Sequence, residues 1–255
     1  MSFLSSLDYI EVRYDENGAD KWMSRYWWLS VIASAVYVLL VRAGRSWMRD
    51  KSALSLRRPL VMWNTALAVF SFFGVMVTLP PVATGLWERG LGHTVCNRLL
   101  FSTPQRSLWC FLFTVFKMVE LGDTAFVVLR KTPLSFLHWY HHVSVMIYCW
   151  GLYTHKPGAA NWFILLNYFV HFLMYTYYAF KAGGYPVPSS IAKVITVLQM
   201  AQFVMGLSVT LLAYRLWVSG VECHMTDQVF YFAIILYGSY LLLFLNFFYN
   251  RYLKK

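Results

Sequence analysis

What most constrains this chain is a series of long apolar runs, each close to the roughly 20 residues that a helix needs to cross a bilayer. A window of about 19 residues finds seven, over residues 27–41, 60–80, 108–129, 134–150, 161–180, 191–218 and 229–249. Backbone polar groups in hydrocarbon have no water to bond, so runs of this length must be helical. The composition agrees: 59% of residues are hydrophobic and 13% charged, against roughly 25% charged in a soluble domain. A water-soluble globule is excluded. The sequence predicts an all-α integral membrane protein, a single domain over residues 1–255, with seven transmembrane helices. The first 20 residues hold Asp8, Glu11, Asp15, Glu16 and Asp20 and no apolar stretch, so the first helix itself is expected to direct insertion. Pro80, Pro81, Pro157, Pro186 and Pro188 are read as loop markers, and no internal repeat is present.

The net charge of +11 resembles a nucleic-acid signal until it is divided among the loops. With seven spans, one side collects thirteen basic residues, from Arg42, Arg45 and Arg49 through Arg130, Lys131, Lys181 and Arg251 to Lys255, against Asp50 alone. The other side holds equal numbers of basic and acidic residues and sums to zero. The positive-inside rule then places the C-terminus in the cytosol and the N-terminus on the far side. No nucleic-acid partner is predicted. The basic belt meets lipid headgroups, and it can also receive a polyanionic substrate from the cytosol. Of the four cysteines, Cys110 and Cys149 fall inside spans and read as small core residues. Cys96 and Cys223 precede the third and seventh spans on the non-cytosolic side, where an oxidising lumen would join them in a disulfide.

Ionisable and amide groups in hydrocarbon are costly, so they mark function. Here they gather as Lys117-x-x-Glu120-x-x-Asp123-Thr124, as His138-x-x-His141-His142, as Asn167 with His171, Tyr175 and Tyr178, and as Thr196-x-x-Gln199-x-x-Gln202. At 1.5 Å per residue, Asp123, His141, His171 and Gln199 each lie roughly 9 to 14 Å from the cytosolic end of their span. Four helices of alternating direction thus bring polar side chains to one level, as if lining a chamber. The histidines, spaced i, i+3 and i+4, share a helix face. Groups that merely held helices together would not need three histidines in five residues.

Two chemistries suit such a cluster. A di-iron oxygenase or desaturase uses a similar motif but needs about eight histidines, and only four lie at the right level here; Glu120 and Asp123 could supplement them around a single metal, though no metal site is assigned. A buried neutral imidazole instead serves as nucleophile or base, with a carboxylate such as Asp123 fixing its tautomer. Asn167, Gln199 and Gln202 are neutral groups suited to holding an oxyanion or enolate. A receptor or transporter would explain the span count but leave the histidines unused. The inventory favours acyl transfer.

Taken together, these four motifs, in this order over nearly the whole chain, resemble the very-long-chain fatty acid elongases. The resemblance implies a seven-helix endoplasmic reticulum protein that condenses a long-chain acyl-CoA with malonyl-CoA to 3-oxoacyl-CoA, CO2 and CoA, with no cofactor beyond these substrates. Pro133, where members acting on polyunsaturated chains carry Gln, suggests the branch for saturated and monounsaturated chains, as do Leu137-His138-Trp139-Tyr140-His141-His142 and Asn167-Tyr168. Lys254 and Lys255 stand last, without the two residues that follow a dilysine retrieval signal. The expected roles are His141 as acyl carrier, with His138, His142 and His171 moving protons; a one-step condensation with histidine only as base is the open alternative. Asp123 and Glu120 would hold imidazoles. Lys117, Asn167, Tyr175, Tyr178, Gln199 and Gln202 would meet the reacting groups, and Arg130, Lys131, Lys181 and Arg251 the phosphates of CoA. An apolar tunnel should continue from the histidines toward the lumen. Other enzymes of the elongation cycle are implied partners, and a homo-oligomer is left open.

Overall fold

The computed structural model describes residues 14–254. Asp8, Glu11, Arg13 and Lys255, which entered the charge count, lie outside the described residues. Every regular element in them is helical: α1 Glu16–Tyr26, α2 Leu29–Trp47, α3 Arg57–Cys96, α4 Pro104–Val119, α5 Gly122–Leu129, α6 Phe136–Leu152, α7 Ala160–Ala182, α8 Ser189–Val218 and α9 Asp227–Phe248, with single turns at Leu99–Phe101, Tyr153–His155 and Tyr249–Leu253. Local chemistry sets several starts. Asp15 accepts from Gly18 N–H to open α1, Thr103 precedes Pro104 at the head of α4, and Thr226 caps α9.

Of these, α2, α3, α7, α8 and the α9 segment are long and apolar enough to cross a membrane. The run at 108–129 is divided instead between α4 and α5, and α6 has only 17 residues. At the division the amides of Leu121, Asp123 and Thr124 bond back three residues rather than four, to Met118, Glu120 and Leu121, which tightens the helix without ending its course. A second difference concerns Pro80 and Pro81. They lie inside α3, which runs 40 residues and breaks only at Gly90, where φ is 81°. Leaving the helix in hydrocarbon would strand several backbone groups, whereas each proline removes one bond.

Six helical segments pack in a ring, in the order α3, α7, α8, α9, α6 and α4, which returns to α3. Outside the ring, α2 lies on α5 and α6, and α1 on α4. The closest approach joins α3 to α7: a Cβ on Gly74 would fall 2.4 Å from the Tyr168 ring, so only glycine lets that ring seat. A core containing Val82, Phe113, Val145, Tyr168, Phe203 and Tyr240 fills the middle of the ring.

One end is fastened by specific bonds. Cys96 and Cys223 form a disulfide between the end of α3 and the loop before α9. Asn161, fully buried, accepts from Leu100 N–H and donates to the carbonyls of Thr94 and Asn97. Lys156 donates to Glu16 and Asp20 at 2.5 and 2.6 Å, tying α1 to the α6–α7 connection. Burial alone would lower the Lys156 ammonium pKa, but the two carboxylates outweigh it and hold it above the ordinary lysine range. A raised pKa stabilises the fold fully below the unfolded value and loses that contribution as pH rises through the folded one. Lys156→Met should therefore lower Tm by a few degrees and speed proteolysis within α1, and on the alkaline side the difference from wild type should persist up to the ordinary lysine pKa of about 10.4 and shrink above it. Thermal melts across pH check this. A variant that melts with wild type at pH 7 would show that the clamp contributes nothing.

Candidate active site

At the other end of the ring, Ser135 caps α6 by accepting from His138 N–H, so His138, His141 and His142 fall in its first two turns. They face His171 of α7 across a chamber of about 510 Å³. Asp123, Asn167, Tyr175, Tyr178, Gln199 and Gln202 also line it, and Lys181 and Arg251 border it. Twelve of the sixteen side chains given a catalytic or substrate-binding role from sequence thus share one cavity. Depth along each helix is a local property, and it brings them to one level.

The His141 ring has no hydrogen-bond partner among the described residues and lies 4.9 Å from the Tyr240 ring. Tyr240 in turn donates to the His141 carbonyl and pairs with Ser144. This holds the backbone of α6 while leaving the imidazole free. His142 is buried, its Nδ1 unpartnered among the described residues, and its ring lies 4.6 Å from that of His138. His138 Nε2 meets Thr124 Oγ1 at 2.8 Å, and that hydroxyl meets Tyr37 of α2 at 2.8 Å. A helix outside the ring therefore reaches the histidine motif through one buried hydroxyl.

The two carboxylates differ from expectation. Glu120 is buried behind His171: its Oε1 is 2.7 Å from Lys117 Nζ and 3.6 Å from His171 Nδ1. Lys117 also donates to Asn167 Oδ1 at 2.9 Å. Neither Lys117 nor Glu120 is among the residues that line the chamber, and the Lys117 ammonium is engaged by Glu120 and Asn167. Asp123 holds no imidazole. Its oxygens accept from Trp63 Nε1 at 2.6 Å and Tyr175 OH at 2.8 Å, because the tightened turn before it aims it away from the Glu120 side of the helix. Gly122 admits the indole, since a Cβ there would lie 2.7 Å from the Trp63 ring. Sequence reasoning missed Trp63, Tyr37 and Tyr240, which look like ordinary aromatic residues of apolar helices until a partner is known.

Of the four expected CoA contacts, Lys181 and Arg251 border the chamber. Arg130 lies on a second cavity of about 350 Å³ that shares Asp123, His138, Tyr175, Tyr178 and Lys181 with it. Lys131 is a correction: with φ at 54°, it turns its ammonium to the carbonyls of Arg49 and Lys51, both at 2.9 Å, and braces the α2–α3 loop. The open tunnel is a correction as well. A separate apolar pocket of about 50 Å³, lined by Cys110, Tyr148, Cys149, Phe163 and Tyr237, lies toward the disulfide end. It shares no lining residue with the chamber, and one packed core borders both, with Phe203 on the chamber side and Tyr237 on the other. Apolar side chains close on one another because an unfilled passage forfeits dispersion contacts. Among the described residues no group of three or more His, Cys, Asp or Glu side chains is arranged to hold a metal ion.

A ring of apolar helices around four imidazoles, neutral amides and rim cations defines a multi-pass membrane protein with a buried polar chamber. The GNS1/SUR4 (ELO) family matches over residues 22–255, and the chain belongs to it. It is similar to very long chain fatty acid elongase 6 of Homo sapiens, 39% identical over 256 residues that cover 100% of this chain and 96% of the relative. Elongase 6 of Drosophila melanogaster is 40% identical over 91% of this chain and 75% of its own. Very long chain fatty acid elongase 3 of Mus musculus is 40% identical over 91% and 85%.

Proposed function

We propose that this protein is the condensing enzyme of fatty acid elongation, joining a long-chain acyl-CoA to malonyl-CoA. The observation that carries the reading is the convergence of His138, His141, His142 and His171 on one chamber with Asn167, Gln199 and Gln202. In the course we propose, an imidazole nitrogen of His141 attacks the thioester carbonyl, the C–S bond breaks, and CoA leaves with a proton passed through a neighbouring imidazole. Malonyl-CoA then loses CO2, and the electron pair of the broken C–C bond forms an enolate held by neutral amide donors. The enolate carbon takes the acyl group, the electron pair of the broken C–N bond returns to the His141 nitrogen, which regains a proton from solvent through a neighbouring imidazole, and 3-oxoacyl-CoA is released. No cofactor beyond the substrates takes part.

The finer setting belongs to the same proposal: one domain with seven crossings in the endoplasmic reticulum membrane, α4 with α5 forming the third, the N-terminus lumenal and the C-terminus cytosolic. The chamber then opens to the cytosol, where both CoA substrates and the other enzymes of the cycle reside, and the disulfide lies in the oxidising lumen. Incubating the purified protein with palmitoyl-CoA and labelled malonyl-CoA tests the activity; absence of both 3-oxoacyl product and CO2 would refute it.

Two expected outcomes follow from the chamber's shape and charge. Neutralising Lys181 and Arg251 together should raise KM for both CoA substrates more than it lowers kcat, since these side chains meet phosphate before the chemistry begins. Unchanged KM values would leave them as topology signals. The acyl tail should run toward the pocket at Phe163 and Tyr237, parting the core between. Each buried methylene contributes about 0.8 kcal/mol, roughly fourfold in affinity, until the packed end resists further carbons at about 1 to 3 kcal/mol. Initial rates across a saturated acyl-CoA series should climb and then fall sharply, with polyunsaturated chains used poorly. A smooth decline would remove the end-stop.

A further inference from the structure

The second cavity holds a polar group that the mechanism above does not use. Asn64 is 4% exposed, it lines this bay, and its carboxamide makes no hydrogen bond to any described residue. It sits on α3, one of the helices apolar and long enough to cross a membrane. An unpaired amide in such a helix is costly, and membrane helices rarely carry one without a partner. Counting seven residues inward from Arg57 places Asn64 roughly 10 Å deep, level with Asp123 and the histidines. The bay is edged by Arg130 and Lys181, and Asp123, His138, Tyr175 and Tyr178 partition it from the chamber. Both oxygens of Asp123 are already engaged by Trp63 and Tyr175; of the bay's polar side chains without a hydrogen bond to the described residues, Asn64 is buried whereas Tyr178 is 44% exposed.

We propose that this bay is the subsite for the malonyl group, with Asn64 hydrogen-bonded to its carboxylate. The inference rests on the condensation reading and extends it. The two substrates differ in one respect: one carries a long apolar chain, the other a short unit ending in a carboxylate. The main chamber backs onto the aromatic core that leads to the apolar pocket, whereas the bay ends at a neutral amide behind a cationic rim. The rim draws an anion in. The amide then orients it without adding a positive charge that would hold the carboxylate back as it leaves as neutral CO2 and its bonding pair passes to the enolate. The two cavities adjoin at Asp123, His138, Tyr175 and Tyr178, and the two carbon centres would meet at that junction.

The phosphates of the CoA arm are a second anion that could seat there, and kinetics separate the two sources. The full chain in lipid bilayers is assayed as wild type, Asn64→Leu, which removes the amide, and Leu60→Trp, which fills the bay from its rim. For both variants KM for malonyl-CoA should rise about tenfold or more, the loss expected of a hydrogen bond to a charged group. KM for acyl-CoA should stay within about twofold. Release of CoA from acyl-CoA alone should match wild type and doubles as the control for folding. A parallel rise in both KM values assigns the bay to the shared CoA arm and overturns the proposal, as do unchanged KM values in both variants. If Asn64→Leu fails the folding control, Leu60→Trp decides alone. Failure of wild type to condense at all would refute the activity itself and not the bay.

Discussion

His141→Ala should abolish condensation, by a factor on the order of 10⁴ or more if its imidazole carries the acyl group, as removal of a nucleophile does elsewhere. The fold should survive. The ring makes no hydrogen bond to the described residues, and the contacts that hold α6 there run through the His141 backbone carbonyl, which an alanine retains. Mass spectrometry of wild type given acyl-CoA alone should show an adduct heavier by one acyl group, and the variant should show none. His138→Ala and His171→Ala should lose less, within the roughly 10² to 10⁴ typical of proton transfer, and should still acquire the adduct. Near-normal turnover by His141→Ala would remove it from the mechanism. An adduct on His171 instead would exchange their roles.

The second large effect is on stability. Lys117 and Glu120 are 2% and 4% exposed and 2.7 Å apart. Removing one leaves the other charged and unpaired in the core, at a cost of about 3 to 5 kcal/mol. Glu120→Leu and Lys117→Met should each lower Tm by roughly ten degrees or more, or fail to yield folded protein. The double variant should recover most of that stability, because apolar residues of similar volume pack there without either desolvation penalty. It should not recover turnover. With the ammonium gone, Asn167 loses its partner at 2.9 Å, and with the carboxylate gone His171 loses its neighbour at 3.6 Å. A double-mutant cycle reading both Tm and rate checks this. Full activity in the double variant would make the pair a structural bond and nothing more.

Lys117 and Glu120 also show how far a single helix can be read. Their i, i+3 spacing puts them on one face, and the ion pair formed between them is the one that spacing allows. Asp123, another three residues on, continues the same pattern in sequence, yet its carboxylate faces Trp63 and Tyr175. Bonding back three residues at Leu121, Asp123 and Thr124 breaks the regular helical register between them. Asn64 is equally inconspicuous in the sequence. A lone amide in an apolar run draws little notice, although the depth rule applied to the other four segments also places it at the level of the histidines.

Apolar run length and the spacing of polar residues are local properties. From them alone follow an all-helical membrane protein, the alignment of histidines, amides and tyrosines at one depth, and the candidacy of Cys96 and Cys223 as partners. Depth accrues at 1.5 Å per residue whatever the neighbouring helices do. The tertiary structure decided which groups touch. It set Lys131 on the carbonyls of Arg49 and Lys51 rather than at the chamber, carried Tyr37 from outside the ring to Thr124, closed the passage between chamber and apolar pocket with packed side chains, and divided the polar end into two cavities. Each of these depends on the rotation of one helix against another. That rotation is settled by close packing across the ring, such as Gly74 against Tyr168, between residues far apart in the chain.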